Sequence, residues 1–314
     1  MGKCLLILFC ENCFVYLQQE VFNLYIMITI NGIEIVRKTF PDGSLCLLDL
    51  NNSLLYPNKN YEIVWLYEGD YEIFMLICIV KHLRSKTYNN VSFNLTMPYV
   101  VNSRMDRTHS DNEVFTLKYF ADIINDLKFN KVVIVDPHSI VSEALIDNVC
   151  VLRPSNIISN VIDKMLCLNE FEREVVIYFP DDGAYKRYKD LPCFKDLKCI
   201  YGKKERDWET GKILGIEIYD KNGFKLTNEL ENCDVLMVDD IISYGGTLAY
   251  SADKLKEMGA AHISAYATHV ENSVLDEEKG TLLKRYKDNI IDTVYTTNSI
   301  YRGNHPMVEV IHKF

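Results

Sequence analysis

Residues 234–247, Asp-Val-Leu-Met-Val-Asp-Asp-Ile-Ile-Ser-Tyr-Gly-Gly-Thr, constrain the fold more than any other stretch of the chain. The apolar run Val235 to Val238 reads as a buried strand, with two adjacent acids, Asp239 and Asp240, at its carboxyl end. A turn closing on Gly245-Gly246-Thr247 follows, then a helix with apolar positions at Leu248, Ala252, Leu255 and Met258. In open α/β sheets ligands bind outside the carboxyl ends of the strands. Backbone N–H groups of a glycine turn at a helix start form an anion site suited to phosphate. Two carboxylates beside such a cradle suit a hydroxyl-bearing compound, such as a ribose. The bland alternative, a strand–turn–helix with a solvated acidic turn, does not require strand, acids, double glycine and helix in this order.

The 314 residues allow one or two domains, each able to bury a core. A hydrophobic fraction of 48% and a charged fraction of 25% are those of a globular protein. The formal charge of −10 excludes general nucleic-acid binding, which needs a basic face, but leaves room for a nucleotide held by local Lys and Arg. Ten cysteines without pairing rhythm read as reduced thiols, and the lone Cys10-Glu-Asn-Cys13 is no metal signature without a second pair. The run Cys4–Cys10 lacks an A-x-A cleavage site and is too short to span a bilayer. Residues 1–26 therefore read as an N-terminal extension of a cytoplasmic enzyme with no membrane partner, and the folded unit is expected from Met27.

From Met27 the pattern opens with a hairpin turning at Asn31-Gly32. Strands are expected at 45–50, 61–66, 91–96 and 131–136, with helices at 70–86 and 112–128. The second half repeats the rhythm, with strands near 174–179, 197–201, 213–219, 234–238, 262–267 and 292–296 and helices at 156–168, 184–190 and 248–258. Alternation of this kind predicts an α/β fold of parallel sheets flanked by helices. Arg153-Pro154 marks the expected boundary between a domain at 27–153 and another at 154–314.

Further polar clusters fall at strand ends. Pro98-Tyr-Val-Val-Asn-Ser-Arg104-Met105-Asp106-Arg107 carries two guanidinium groups, whose forked donors match phosphate oxygens, although a loop of mixed charge taken alone is usually just a surface loop. Asp136-Pro-His138 offers an imidazole for a divalent ion or a phosphate chain, where a lone histidine is more often merely hydrogen-bonded. Pro180-Asp181-Asp182-Gly183-Ala184 with Lys186-Arg187 repeats the pattern of acids, glycine and helix start. Gly202-Lys203-Lys204-Glu205-Arg206 is a basic loop that could close over a transferring phosphoryl chain, or simply a solvated hairpin tip.

Taken in order, these segments resemble the ribose-phosphate diphosphokinases, or phosphoribosyl pyrophosphate (PRPP) synthetases, over about residues 35–300. Phe40-Pro-Asp42-Gly43-Ser44 is similar to the family's F-x-D-G-E segment, and Pro98-Tyr99 through Arg107 to P-Y-x-x-Y-A-R-Q-D-R. Asp136-Pro137-His138 resembles D-L-H, Pro180 to Arg187 resembles P-D-x-G-G-x-x-x-R, and Lys204-Glu205-Arg206 resembles the mobile K-x-R loop. Asp239-Asp240 to Thr247 resembles the PRPP loop, and Tyr266-Ala-Thr-His269 the Y-A-T-H strand end.

The resemblance implies two similar type I phosphoribosyltransferase-like domains with the active site between them. It implies transfer of the β,γ-diphosphoryl group of Mg-ATP to the anomeric hydroxyl of a ribose 5-phosphate moiety, with release of AMP. Lys204, Arg206 and His138 then carry catalysis; Phe40, Asp42, Arg104, Met105, Asp106 and Arg107 place ATP. Asp181, Asp239, Asp240, Ser243, Tyr244, Gly245, Gly246 and Thr247 hold the ribose phosphate, with Mg2+ at His138 and Asp181. Family members assemble as dimers within hexamers, so a homo-oligomer is expected.

Departures from the family pattern bear on the acceptor. The phosphate turn is usually Asp-Thr-Gly-Gly-Thr, whereas here Ser243-Tyr244 precedes the glycines, and a phenol suits stacking better than a small dianion pocket. Ribose 5-phosphate and a 5′-extended ribose such as ADP-ribose, which would serve NAD rebuilding, both stay open, because an anion nest depends mainly on backbone. Met105 replaces a glutamine, Ala184 a glycine and Ser44 an acid. Two other classes remain: a type I phosphoribosyltransferase, with no reason to keep Arg104, Asp106, His138 and the Lys204/Arg206 loop together, and a non-catalytic regulatory relative, which typically interrupts that loop.

Overall fold

A computed structural model describes residues 28–47, 60–87, 91–168, 173–206 and 213–314, and for residues 204–206, 213 and 214 the backbone alone. The expected extension at 1–26 and the end of the strand expected at 45–50 lie outside the described residues.

The first sheet begins with the hairpin β1 (Ile28–Ile30) and β2 (Ile33–Glu34). Asn31 and Gly32 turn it at φ of 51° and 77°, the left-handed pair that matches strand twist. A separate two-stranded ribbon, β3 (Lys38–Thr39) with β4 (Leu45–Cys46), follows. Then come β5 (Asn60–Trp65), β6 (Ser92–Thr96), β7 (Lys131–Val135) and β8 (Val149–Leu152), giving the order β2-β1-β5-β6-β7-β8. In β5 the period of two is visible: Tyr61, Ile63 and Trp65 are buried while Glu62 is exposed. Helices α1 (Tyr71–Lys86), α2 (Thr116–Asp126) and the short α3 (Ile140–Leu145) connect these strands. Buried Glu72 of α1 accepts from Trp65 Nε1 and from the Glu68 amide, both at 2.9 Å, so the strand-to-helix turn is tied without water.

The second sheet is larger. It holds β9 (Val175–Phe179), β10 (Lys198–Arg206), β11 (Ile213–Asp220), β12 (Lys225–Leu226), β13 (Asp234–Ile242), β14 (His262–Val270), β15 (Thr293–Thr297) and β16 (Val308–His312), in the order β12-β11-β10-β9-β13-β14-β15-β16. Central β13 is buried on both faces by alternation. Val235 and Met237 join a core with Leu248, Ala252 and Leu255 of α6 (Gly246–Glu257) and Leu282 of α7 (Thr281–Lys287). Leu236 and Val238 join the opposite core with Ile158, Val161 and Met165 of α4 (Ser155–Leu168) and Tyr188 of α5 (Asp182–Tyr188). Helices on both faces explain why β13 reads as a continuous apolar run.

The α/β architecture agrees with the sequence, with one correction. The sheets are mixed: β1 pairs antiparallel with β2 and β5, and β11 pairs antiparallel with β10 and β12, while the inner strands are parallel. The hairpin turns at 31–32 and 221–223 are short enough to reverse the chain, which a crossover helix cannot do. Elements β3, α3, β8, β12, α7 and β16 come in addition to the expected ones.

Candidate active site

The carboxyl ends of the two sheets face each other. Beyond β7, Asp136 takes a left-handed φ of 44° and is fully buried, accepting from Tyr188 Oη at 2.8 Å and Thr268 Oγ1 at 2.5 Å, both from the second sheet's side. Burial pushes this carboxyl up to about 6, and the charge of Asp240 acts the same way. His269 at the end of β14 bridges Ser299 Oγ (2.8 Å) and the Val135 carbonyl (3.1 Å). These bonds fix β7 and β14 end to end, and whatever side chains follow β7 must meet the ends of β13 and β14.

His138 is one of them. Its Nδ1 lies 2.7 Å from Asp240 Oδ2, and Arg187 Nη1 pairs with the other oxygen of Asp240 at 2.5 Å. Arg187 also donates to the His138 carbonyl. Burial alone would raise the Asp240 carboxyl, but the His138 hydrogen bond and the Arg187 charge outweigh it and hold the group well below the usual carboxylate range. Its neighbour Asp239 goes the other way: burial, then the Asp240 charge, raise it well above that range. Two adjacent acids therefore differ, one anionic and doubly engaged, the other inclined to hold a proton. Because ionised Asp240 only accepts, His138 donates from Nδ1 and leaves Nε2 for a ligand.

Asp181 caps α5, accepting from the Ala184 amide at 3.0 Å. The turn after β13 places Gly245 at φ 83°, and α6 starts there with no side-chain cap, at the kind of helix start that suits an anion. The Tyr244 carbonyl accepts from the Thr281 amide (3.0 Å) and hydroxyl (2.8 Å), which ties the turn to α7 while 39% of the tyrosine stays exposed. Gly246 is open on its Cβ side, and Thr247 lies in the first turn of α6. Ser243 Oγ meets Ser273 Oγ at 3.1 Å.

On the first-sheet side, Asp106 is held down to about 2, first by Arg107, whose Nε and Nη2 donate at 2.8 and 2.9 Å, and also by Ser139 and the nearby His138. Arg104 Nη2 donates to Glu271 Oε1 across the two halves at 2.6 Å. Arg104 and Met105 line a cleft of about 420 Å³ together with Tyr67, Tyr99, Glu271 and Arg302. Phe40 and Asp42 do not line it. They sit on the β3–β4 ribbon, where Asp42 Oδ1 accepts from the Ser44 amide (2.9 Å) and hydroxyl (2.6 Å) and Phe40 is more than half exposed. Lys204 and Arg206 lie on β10 beyond Tyr201, its last residue paired with β9, on an antiparallel ribbon with β11 that projects from the carboxyl end of the sheet.

The structure thus joins His138, Asp240 and the 243–247 turn, and brings Asp106 next to His138. Arg187 and Glu271 were not expected as site residues. Arg187 stood within a quoted motif, whereas nothing local marks Glu271, 167 residues from its partner. Among the described residues no three His, Cys, Asp or Glu side chains converge to hold a metal ion, and no helix is long and apolar enough to cross a membrane.

No family model matches the chain. It is similar to the ribose-phosphate pyrophosphokinase of Saccharolobus solfataricus, 25% identical over 252 residues that cover 78% of this chain and 79% of that protein. The enzyme of the same name from Sulfurisphaera tokodaii is 27% identical over 285 residues, 88% of each chain. That of Helicobacter pylori is 25% identical over 225 residues, 72% of this chain and 64% of the relative. Among solved structures, phosphoribosylpyrophosphate synthetase from Mycobacterium smegmatis matches with a TM-score of 0.65 over 88% of this chain and 85% of that one; at 17% identity this shows the shared fold.

Proposed function

We propose that this chain, which belongs to the ribose-phosphate pyrophosphokinase family, moves the β,γ-diphosphoryl group of ATP to the anomeric hydroxyl of a ribose 5-phosphate moiety and releases AMP. The observation that carries the reading is the contact of His138 with Asp240, 2.7 Å between the end of β7 and the acid beside the glycine turn. A donor held by the first half and an acceptor held by the second must meet where these two residues meet.

The glycine turn at 245–247, at the start of α6, holds the acceptor's 5-phosphate. Both oxygens of Asp240 are engaged by His138 and Arg187, so Asp239 receives the ribose hydroxyls and Asp240 orients His138. Arg104 and Arg107, with Asp106 and Met105, place the nucleotide phosphates and base, and the exposed Phe40–Asp42 ribbon serves a neighbouring copy in a homo-oligomer. Lys204 and Arg206 on the projecting ribbon stabilise charge on the diphosphoryl group in flight.

Magnesium fits this donor set only in company with the nucleotide. The described residues offer no all-protein cage, and Mg2+ is usually bound through one or two protein groups plus substrate phosphates. Asp181 and the Nε2 of His138 are the groups that would reach it. There a magnesium ion would supply Lewis-acid withdrawal of charge from the phosphates.

The acceptor is either ribose 5-phosphate or a 5′-extended ribose such as ADP-ribose. The exposure of Tyr244 beside the turn supports the extended one, since its ring is available for stacking. The deciding experiment is AMP release from ATP with each acceptor. AMP with ribose 5-phosphate supports PRPP synthesis, and AMP only with ADP-ribose supports the extended acceptor. A Tyr244→Thr variant should then move preference toward ribose 5-phosphate. AMP with neither acceptor overturns the proposal in favour of a phosphoribosyltransferase or a non-catalytic relative.

A further inference from the structure

Glu271 sits where the two halves of the cleft touch, and each of its carboxylate oxygens has a separate partner. Oε1 accepts from Arg104 Nη2 at 2.6 Å and Oε2 accepts from Ser273 Oγ at 3.1 Å. Ser273 Oγ in turn lies 3.1 Å from Ser243 Oγ, in the phosphate turn. The direction of this chain is fixed by chemistry. A carboxylate only accepts, so Ser273 spends its single proton on Glu271, and Ser243 must donate to Ser273. The Ser243 hydroxyl proton is thereby turned away from anything in the turn.

The other end of the chain is equally specific. Among the described residues Arg104 has no hydrogen-bond partner but Glu271, although about half of its side chain is exposed. A long side chain without that anchor would sample many rotamers, and ordering it would be charged against ligand binding. Anchored through one N–H, it keeps its remaining donors for phosphate oxygens.

We infer that Glu271 is a positioning residue linking the two substrate sites: it holds Arg104 ready for the nucleotide and, through Ser273, sets the hydroxyl of Ser243 in the acceptor turn. The inference rests on the diphosphokinase reading of the same cleft.

The test is a set of steady-state constants for Glu271→Ala, Glu271→Gln, Arg104→Ala, the Glu271→Ala/Arg104→Ala pair and Ser273→Ala. Glu271→Ala raises the KM for ATP about three- to five-fold, the scale of a part-exposed ion pair, with kcat nearly unchanged. Glu271→Gln, which still accepts from Arg104, restores most of the affinity. In the Arg104→Ala background removing Glu271 has no further effect on the KM for ATP. Ser273→Ala leaves the KM for ATP alone and lowers that for the phosphorylated acceptor, because Ser243 is freed to donate. An unchanged or lowered KM for ATP in Glu271→Ala overturns the inference, the latter marking a carboxylate that competes for Arg104. So does a rise that persists without Arg104, which marks a purely structural residue. If the wild-type protein releases no AMP with either acceptor, the diphosphokinase reading fails by itself. The same variants, followed by calorimetric titration with ATP and with each acceptor, then decide the positioning claim separately. Thermal melting of each variant identifies any that fail to fold.

Discussion

Asp240 Oδ2 lies 2.7 Å from His138 Nδ1, and the same carboxylate pairs with Arg187, so one buried acid at the end of β13 fixes a histidine contributed by the other sheet. Removing the buried Asp240 charge leaves the mostly buried Arg187 guanidinium without its counter-charge. Asp240→Asn should lower stability by about 3 kcal/mol, the range for breaking a buried ion pair. Urea unfolding monitored by fluorescence measures it. A variant as stable as the wild type would show that water reaches Arg187 and compensates it.

Lys204 and Arg206 act, in this account, when charge builds on the diphosphoryl group. Lys204→Ala should lower kcat by at least about 100-fold, while the dissociation constant for ATP moves no more than a few-fold. Single-turnover kinetics and calorimetric titration separate the two. Loss of nucleotide affinity with turnover retained would assign the lysine to ground-state binding.

Gly245 holds φ 83°, and a Cβ there would stand 2.6 Å from Leu282 Cβ. Gly245→Ala therefore meets both backbone strain and a clash with α7, together about 1–3 kcal/mol, and displaces the amides of the turn. The expected result is a lower melting temperature with a higher KM for the phosphorylated acceptor. An acceptor KM equal to that of the wild type would mean that the phosphate is held elsewhere.

His269 is buried, and burial pulls its imidazole down to about 4 from an ordinary 6.5. The fold thus prefers the neutral ring. Its contribution is complete above pH 6.5 and is lost as pH falls toward 4, a change of about 3 kcal/mol at full effect. Urea unfolding at pH 7, 5 and 4 should show this loss in the wild type and a smaller one in His269→Gln. Equal slopes in both proteins would remove His269 from the acid response.

The fold was legible wherever local pattern and burial coincide. Val235–Val238 alternates between two cores, and Asn31-Gly32 can close only a tight hairpin, so both were readable from composition and period. β13 nevertheless runs on to Ile242, past the expected end at 238, because Asp239 to Ile242 pair with Ala267 to Val270 of β14. Long-range hydrogen bonding there overrides the interruption by two acids. The helix expected at 112–128 begins only at Thr116. The short α3 and α7 carry too few residues for a period to show, and their burial is decided by neighbours. In the site, glycines and paired acids announced the turn. The contacts of Arg187 with Asp240, Thr268 with Asp136 and Arg104 with Glu271 join distant segments, and no spacing rule encodes them.

The most direct test follows the β-phosphorus of ATP. With ATP labelled at that atom and ribose 5-phosphate or ADP-ribose as acceptor, the label should appear on the sugar product, one equivalent for each AMP formed. Label recovered in ADP, or in pyrophosphate with no labelled sugar, would contradict diphosphoryl transfer by this chain.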